Sequence, residues 1–319
     1  MRPVLWSVVA ALALVGALAF VGVVQAARKA PIEETGRYVA VKGGRLYVVE
    51  LGPADRAPSG PPLLLLHGAS GNLGDPREAI GRRLALRHRV ILVDRPGHGR
   101  SDRLGGREMA SPARQGDAIA EALDQMKVGR TVVVGHSWSG ALATNLALDH
   151  PDHVAGLVLL SPATHPWPGG VAWYNSAAAT PGLGLLFAAT VAAPIGLVTF
   201  DKAIEGVFAP QKPPPNYAER TQSKLLLRPA EFQANAQDLA DLKPFLQRQA
   251  PRYGSIRVPT TIITSDKDNI VSPELHSKAL HRQVRGSRLV VLKDAGHMPH
   301  WTETNRVIAE IEAVEARAH

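Results

Sequence analysis

The chain has 319 residues, a length that favours one large domain with an insertion, or two domains, over a minimal scaffold. Charged residues make up 20% of it and hydrophobic residues 45%, which excludes a disordered chain and a multi-span transporter, and with no cysteine there is no disulfide framework, thiolate nucleophile or cysteine-held metal. The formal net charge of +8 comes from scattered Lys and Arg, in pairs such as Arg28-Lys29 and Arg82-Arg83, with no basic helix face interleaved with aromatics; this argues against nucleic acid as a partner and fits an anionic membrane surface or cell envelope.

The first element is an uncharged run, Val4 to Ala27, flanked by Arg2 and Arg28-Lys29. It is long enough to span a bilayer and longer than a usual signal-peptide core of ~7–15 residues, so an uncleaved membrane anchor is preferred to a removed signal sequence, although Val24-Gln25-Ala26 offers a cleavage pattern. Localisation is therefore expected at the membrane or cell envelope. A polar linker follows, and residues 1–30 stand apart from the rest. Next come two runs, Arg37 to Val41 and Arg45 to Leu51, that read as a hairpin turning at Gly43-Gly44. Short apolar runs then alternate with amphipathic helices: Leu63 to Leu66, Val90 to Val93, Thr131 to Val134, Gly156 to Leu160, Thr260 to Thr264 and Leu289 to Leu292. Such alternation predicts an α/β fold with a mostly parallel sheet and helices on both faces. Ser111-Pro112 and Ser272-Pro273 each put a capping hydroxyl before a first-turn proline, and Val307, Ile311 and Val314 form a core stripe on a last helix from about Thr304.

One stretch breaks the pattern. Residues 164–257 carry no clear strand signal and hold most of the aromatic residues, and no Asp, Glu, Lys or Arg occurs from Thr164 to Phe200. A helical lid inserted between core segments 31–163 and 258–319 is expected, with an apolar surface suited to facing a membrane. Leu183 to Phe200 is not read as a second span, because Pro194 and nearby glycines interrupt it.

Gly135-His136-Ser137-Trp138-Ser139-Gly140 follows a strand and opens a helix, as in a nucleophile elbow, where small neighbours let a serine stand at a sharp turn. It departs from G-x-S-x-G at Ser139. A serine hydroxyl needs a base and the base an orienting carboxylate. Strand ends at Ser265-Asp266-Lys267-Asp268 and Lys293-Asp294-Ala295-Gly296-His297 supply both, in the chain order serine, acid, histidine. Asp268 and Asp266 are the candidate acids. His297 and His300 stand at i, i+3 without acidic or histidine partners clustered nearby, so neither a metal nor a cofactor is expected.

From about residue 35 to 319 the chain resembles the α/β-hydrolase fold family, in its capped, esterase and haloperoxidase-like branch. The resemblance rests on His67-Gly68-Ala69-Ser70-Gly71, Asp94-Arg95-Pro96-Gly97-His98-Gly99-Arg100-Ser101, the elbow, and the two strand ends. It implies an eight-stranded sheet, Ser137 as nucleophile, His297 as general base, Asp268 as its orienter, and an oxyanion hole from the backbone N–H groups of Ala69 and Trp138. His67, His98 and His136 hold structural positions in those motifs, and a substrate pocket is expected to draw on His67, Trp167, Trp173 and His300. The implied function is hydrolysis of an apolar acyl or aryl ester, a small-molecule substrate. Alternatives are a carbon–carbon bond hydrolase or an iminopeptidase-like amidase with the same triad, and, in another class, a catalytically silent membrane-anchored binding module. Serine at position 137 sets the chain apart from the epoxide hydrolases and haloalkane dehalogenases, which carry aspartate there.

Overall fold

Strands that are apolar on both faces are stable only inside a sheet covered on both sides. Such strands form the centre here. The computed structural model describes residues 36–318, together with Ser7 and Gly16, and the expected anchor, Val4 to Ala27, lies outside the described residues. Its eight strands are β1 (Gly36–Val41), β2 (Gly44–Leu51), β3 (Leu63–Leu66), β4 (Val90–Val93), β5 (Thr131–His136), β6 (Val154–Leu160), β7 (Thr260–Ser265) and β8 (Arg288–Leu292). They pair in the order β1-β2-β4-β3-β5-β6-β7-β8, antiparallel only between β1 and β2 and between β2 and β4. Every sequence-predicted strand is present, two with the expected ends and the others with one end shifted by one or two residues.

Alternation along each strand divides the core into two layers. Leu64, Leu66, Ile91 and Val133 pack on one face with helices α1 (Pro112–Gln125) and α2 (Ser139–Asp149), through Ile119, Leu123, Leu142 and Leu146. Between β6 and β7 the chain is helical, with α3 (Trp173–Ala179), the continuous helix α4 (Gly184–Phe208) and α5 (Pro229–Gln249). On the sheet's other face, Leu63, Leu65, Val132 and Val134 pack with α6 (Thr304–Glu315), whose Val307, Ile311 and Val314 are fully buried as the stripe predicts.

Two local expectations need correction, and a third holds in altered form. Pro194 does not interrupt α4: a π-helical turn, Ala188–Ala192, lies just before it, and the helix runs on through Pro194 to Phe208. The helix is thus long and apolar enough to cross a membrane by length and composition, with mean hydropathy 1.7. Ser111 precedes α1 as expected but makes no capping hydrogen bond through its side chain. After Ser272-Pro273 the chain forms a π-helical turn, Glu274–Lys278, and Ser272 Oγ accepts the Leu275 N–H at 3.4 Å.

Candidate active site

β5 turns into α2 at Ser137, whose φ of +53° places a non-glycine residue in the left-handed region, a strained conformation typical of functional turns. Hydrogen bonds hold it there. The Ser137 N–H donates to the Leu160 carbonyl at 2.9 Å, and the Ser137 carbonyl accepts from the N–H groups of Gly140 at 2.8 Å and Ala163 at 3.0 Å. A Cβ at Gly135 would lie 2.6 Å from the Ser139 carbonyl oxygen, and one at Gly140 would lie 2.4 Å from Pro162 Cβ, so the turn closes only with glycine at both. Ser139 has room, and its buried hydroxyl donates to the His67 carbonyl at 2.6 Å. Serine at that position ties the elbow to the loop after β3.

Parallel strands bring the ends of β5, β7 and β8 to one edge of the sheet. Ser137 Oγ lies 2.9 Å from His297 Nε2, and His297 Nδ1 lies 2.8 Å from Asp268 Oδ2. Asp268 Oδ1 accepts the N–H groups of Ile270 at 3.0 Å and Val271 at 2.9 Å. Burial pushes the Asp268 carboxyl up, but His297 and these two backbone donors outweigh it and hold the group below its ordinary value. Asp266, the other candidate acid, is exposed. The amides of Ala69 and Trp138 have no acceptor among the described residues, and both residues line the cavity above Ser137.

That cavity has a volume of about 1,020 Å³ and runs from Ser137 and His297 up to α3 and α4. Trp167 and Trp173 line it. His67 and His300 do not, contrary to the sequence expectation. His67 is fully buried beneath the loop, with Nε2 accepting the Arg95 N–H at 3.0 Å and Nδ1 donating to the Gly68 carbonyl at 2.8 Å. His300 turns inward to Asp75, its Nε2 lying 2.9 Å from Asp75 Oδ2. In their place Asp75 and His136 reach the cavity wall.

His300 therefore does have acidic and histidine neighbours, which its sequence surroundings did not show, because Asp75 and His136 come from distant loops. One ligand-capable atom from each of Asp75, His136 and His300 lies within 4.8 Å of the others. The carboxylate is already engaged: Oδ1 accepts from Tyr217 Oη at 2.9 Å and Trp301 Nε1 at 2.8 Å, and Oδ2 from His300. Burial acts to raise the Asp75 pKa, and His300 and the other donors overcome it and hold the group well below the usual carboxylate range. A cation would have to displace these donors, so the trio is a hydrogen-bonded network. His136, kept neutral by burial and by the adjacent His300 and His297, donates from Nε2 to the His297 carbonyl at 3.0 Å.

A second buried network was not legible in the sequence. Asp238 of α5 is fully buried and pairs with Arg95 at 2.7 Å and Arg103 at 2.9 Å. The Arg95 guanidinium lies 4.0 Å above the Trp138 ring, whose Nε1 donates to the Asp238 carbonyl at 3.0 Å. One turn earlier, Asn235 Oδ1 accepts the Ser70 N–H and its Nδ2 donates to Ser70 Oγ at 3.1 Å. Helix α5 thus braces the loops that carry both Ala69 and Trp138. Only the polar residues at Asn235 and Asp238 hinted at this, and polar residues are ordinary on a helix.

Compared with known proteins, residues 61–304 match the family model described as alpha/beta hydrolase fold. An uncharacterized protein of Mycobacterium tuberculosis is 28% identical over 276 residues, covering 80% of this chain and 75% of its own. The 2-hydroxy-6-oxo-6-phenylhexa-2,4-dienoate hydrolase of Comamonas testosteroni is 26% identical over 262 residues, covering 79% of this chain and 86% of its own. Among solved structures, Est816, described as an N-acyl homoserine lactone degrading enzyme, superposes with a TM-score of 0.64 at 25% identity, over 86% of this chain and 99% of its own.

Proposed function

The chain belongs to the alpha/beta hydrolase fold family, and within it we propose a serine hydrolase that cleaves carboxylic esters of low polarity. One observation carries this reading: Ser137 Oγ, His297 and Asp268 form a continuous hydrogen-bonded chain at the floor of a largely apolar cavity. In the proposed reaction Ser137 Oγ attacks the acyl carbonyl as His297 Nε2 takes its proton. The N–H groups of Ala69 and Trp138 receive the charge that develops on the carbonyl oxygen. Asp268 keeps the imidazole oriented and stabilises its protonated form. The tetrahedral intermediate expels the alcohol, protonated by His297, and leaves an acyl group on Ser137. Water activated by His297 then releases the acid.

The test is fluorophosphonate labelling with the adduct mapped by mass, alongside hydrolysis of p-nitrophenyl esters of increasing acyl length. Adduct on Ser137 and an optimum along the series are expected, and Ser137→Ala is expected to lose essentially all turnover. No adduct on the folded chain would favour a silent binding module instead. Asp268→Asn is expected to cost about 10⁴ in kcat by upsetting the histidine tautomer; a comparable loss from Asp266→Asn, with Asp268→Asn nearly silent, would move the acid role. The Comamonas relative supports a second reading, carbon–carbon bond hydrolysis, which turnover of 2-hydroxy-6-oxo-dienoates without ester turnover would favour.

We also propose that the protein works at a membrane or cell envelope, held there by the run Val4 to Ala27 and presenting the apolar face of the β6–β7 helices as a lid. Support comes from the uncharged sequence of that run and from exposed Leu183, Leu186, Ile195 and Val198.

A further inference from the structure

The cavity wall is apolar except for a few side chains, and most of these are occupied: Tyr217 with Asp75, Thr199 with the Ile195 carbonyl, Asn235 with Ser70. Three buried ones keep an unpaired atom: Ser223, whose hydroxyl is sealed from solvent, and His276 and Asn175, whose unpaired atoms are not. His276 follows β7 and lines the cavity, and its Nδ1 accepts the N–H groups of Thr164 at 3.2 Å and His165 at 3.1 Å. An Nδ1 that accepts leaves the ring proton on Nε2. That Nε2 has no partner among the described residues, nor is it among the sealed, unpaired atoms, so it keeps access to the cavity. Burial drives the His276 pKa down to about 4, so the ring stays neutral and its tautomer fixed near neutral pH. Trp167 stands beside the ring at 6.3 Å between centroids. The position is close to the chemistry, since Thr164 directly follows Ala163, whose N–H holds the Ser137 carbonyl. On α3, Asn175 is 8% exposed and lines the same cavity, and its carboxamide has no partner among the described residues.

We propose that the His276 Nε2–H and the Asn175 carboxamide form a polar anchoring subsite, which selects esters or lactones carrying a second hydrogen-bonding oxygen away from the scissile carbonyl. The proposal rests on the ester-hydrolase reading and narrows its substrate class. A plain alkyl ester filling this cavity would strip water from both groups and return nothing, whereas a keto, hydroxy or amide oxygen at the right distance replaces the lost hydrogen bond. Sites built to pair with a polar group discriminate against analogues that lack it.

The experiment compares kcat/KM of the full chain for p-nitrophenyl octanoate and its 5-oxo, 6-oxo and 7-oxo derivatives. At least one oxo isomer is expected to exceed octanoate by about tenfold, the scale of one net hydrogen bond. His276→Asn keeps an acceptor near the Nδ1 position for the Thr164 and His165 amides while removing the donor at the Nε2 position, and Asn175→Leu removes the carboxamide at similar size. Each is expected to bring the oxo-to-plain ratio towards one. The readout is a ratio within one protein, so a general loss of activity does not mimic it. Oxo isomers no better than octanoate, or a ratio unchanged in both variants, overturns the subsite while the ester reading stands. Hydrolysis of none of the four esters overturns the ester reading and this substrate class with it.

Discussion

Helices α4 and α5 belong to the same stretch between β6 and β7 and have opposite surface logic. α5 buries Glu231, Asn235 and Asp238 against the sheet domain, while α4 exposes Leu185, Leu186, Ile195, Leu197 and Val198, the last to 87%. Burying charge is tolerable only where each group is paired, so α5 is bound to one position by its ionic and hydrogen-bonded contacts. An exposed aliphatic face carries no such directional bonds. The polar helix is thus the fixed part of the site, and the apolar one presents a free surface.

The largest effect that tests this contrast is expected from Asp238→Ala. It leaves Arg95 fully buried without its carboxylate, and breaking such a pair costs about 3–5 kcal/mol. Denaturant unfolding measures it; a loss below about 1 kcal/mol would mean that α5 is not rooted through this pair. Next is Asn235→Leu, which frees the Ser70 loop and with it the Ala69 amide. Removing an oxyanion donor outright costs about 10²–10³ in kcat, and loosening the loop is expected to cost about tenfold with little change in KM. An unchanged kcat would detach α5 from the proposed oxyanion hole.

A smaller effect concerns pH. Burial, with the nearby Asp94 charge adding to it, pushes the Glu231 carboxyl up to about 8, against the Gly99 N–H and the Arg228 and Arg100 charges. Burial likewise lifts Asp94 to about 6. For both, the folded pKa exceeds the unfolded one, so the folded chain holds the proton longer. Their contribution to stability is full below the unfolded values and is lost as pH rises, for Glu231 between about 4.5 and 8. Glu231→Gln keeps an oxygen for the Gly99 N–H and removes the ionisation, so the fall of Tm between pH 5 and pH 9 is expected to become shallower. An identical fall in wild type and variant would place the pH sensitivity elsewhere.

What the sequence made legible follows the same division. Strands such as Leu63–Leu66 and Val90–Val93 announce themselves because a buried parallel strand must be apolar throughout, and the ends carrying Ser137, Asp268 and His297 converge because parallel strands finish on one edge. His67 and His300 stand off the cavity because a residue's position beside a motif does not say which way its side chain turns; the Arg95 amide and Asp75 draw them inward. The Asp75 cluster, the Asp238 pairs and the His276 tautomer join residues far apart in the chain, and nothing local in sequence marks such partners. Pro194 reads as a break in sequence because a π-helical turn that re-phases a helix has no simple sequence signature.

The smallest expected effect tests the apolar side of the comparison. β1 runs parallel to the central strands, so the chain enters the sheet at the end opposite the cavity, and α4 stands at the cavity end. A membrane contact by α4 would lie at the cavity end, so it has to be read through the cavity. Val198→Ser is expected to change stability by under ~0.5 kcal/mol, because nothing packs on a side chain so exposed. If α4 meets lipid, the same change should lower hydrolysis of a long-chain ester dissolved in vesicles by a few-fold while leaving a short, water-soluble ester untouched. The ratio of the two rates is the measurement. An unchanged ratio would assign the exposed face of α4 to something other than lipid, while a parallel fall in both rates would mean that α4 is coupled to the site as tightly as α5, and the contrast between the two helices would then fail.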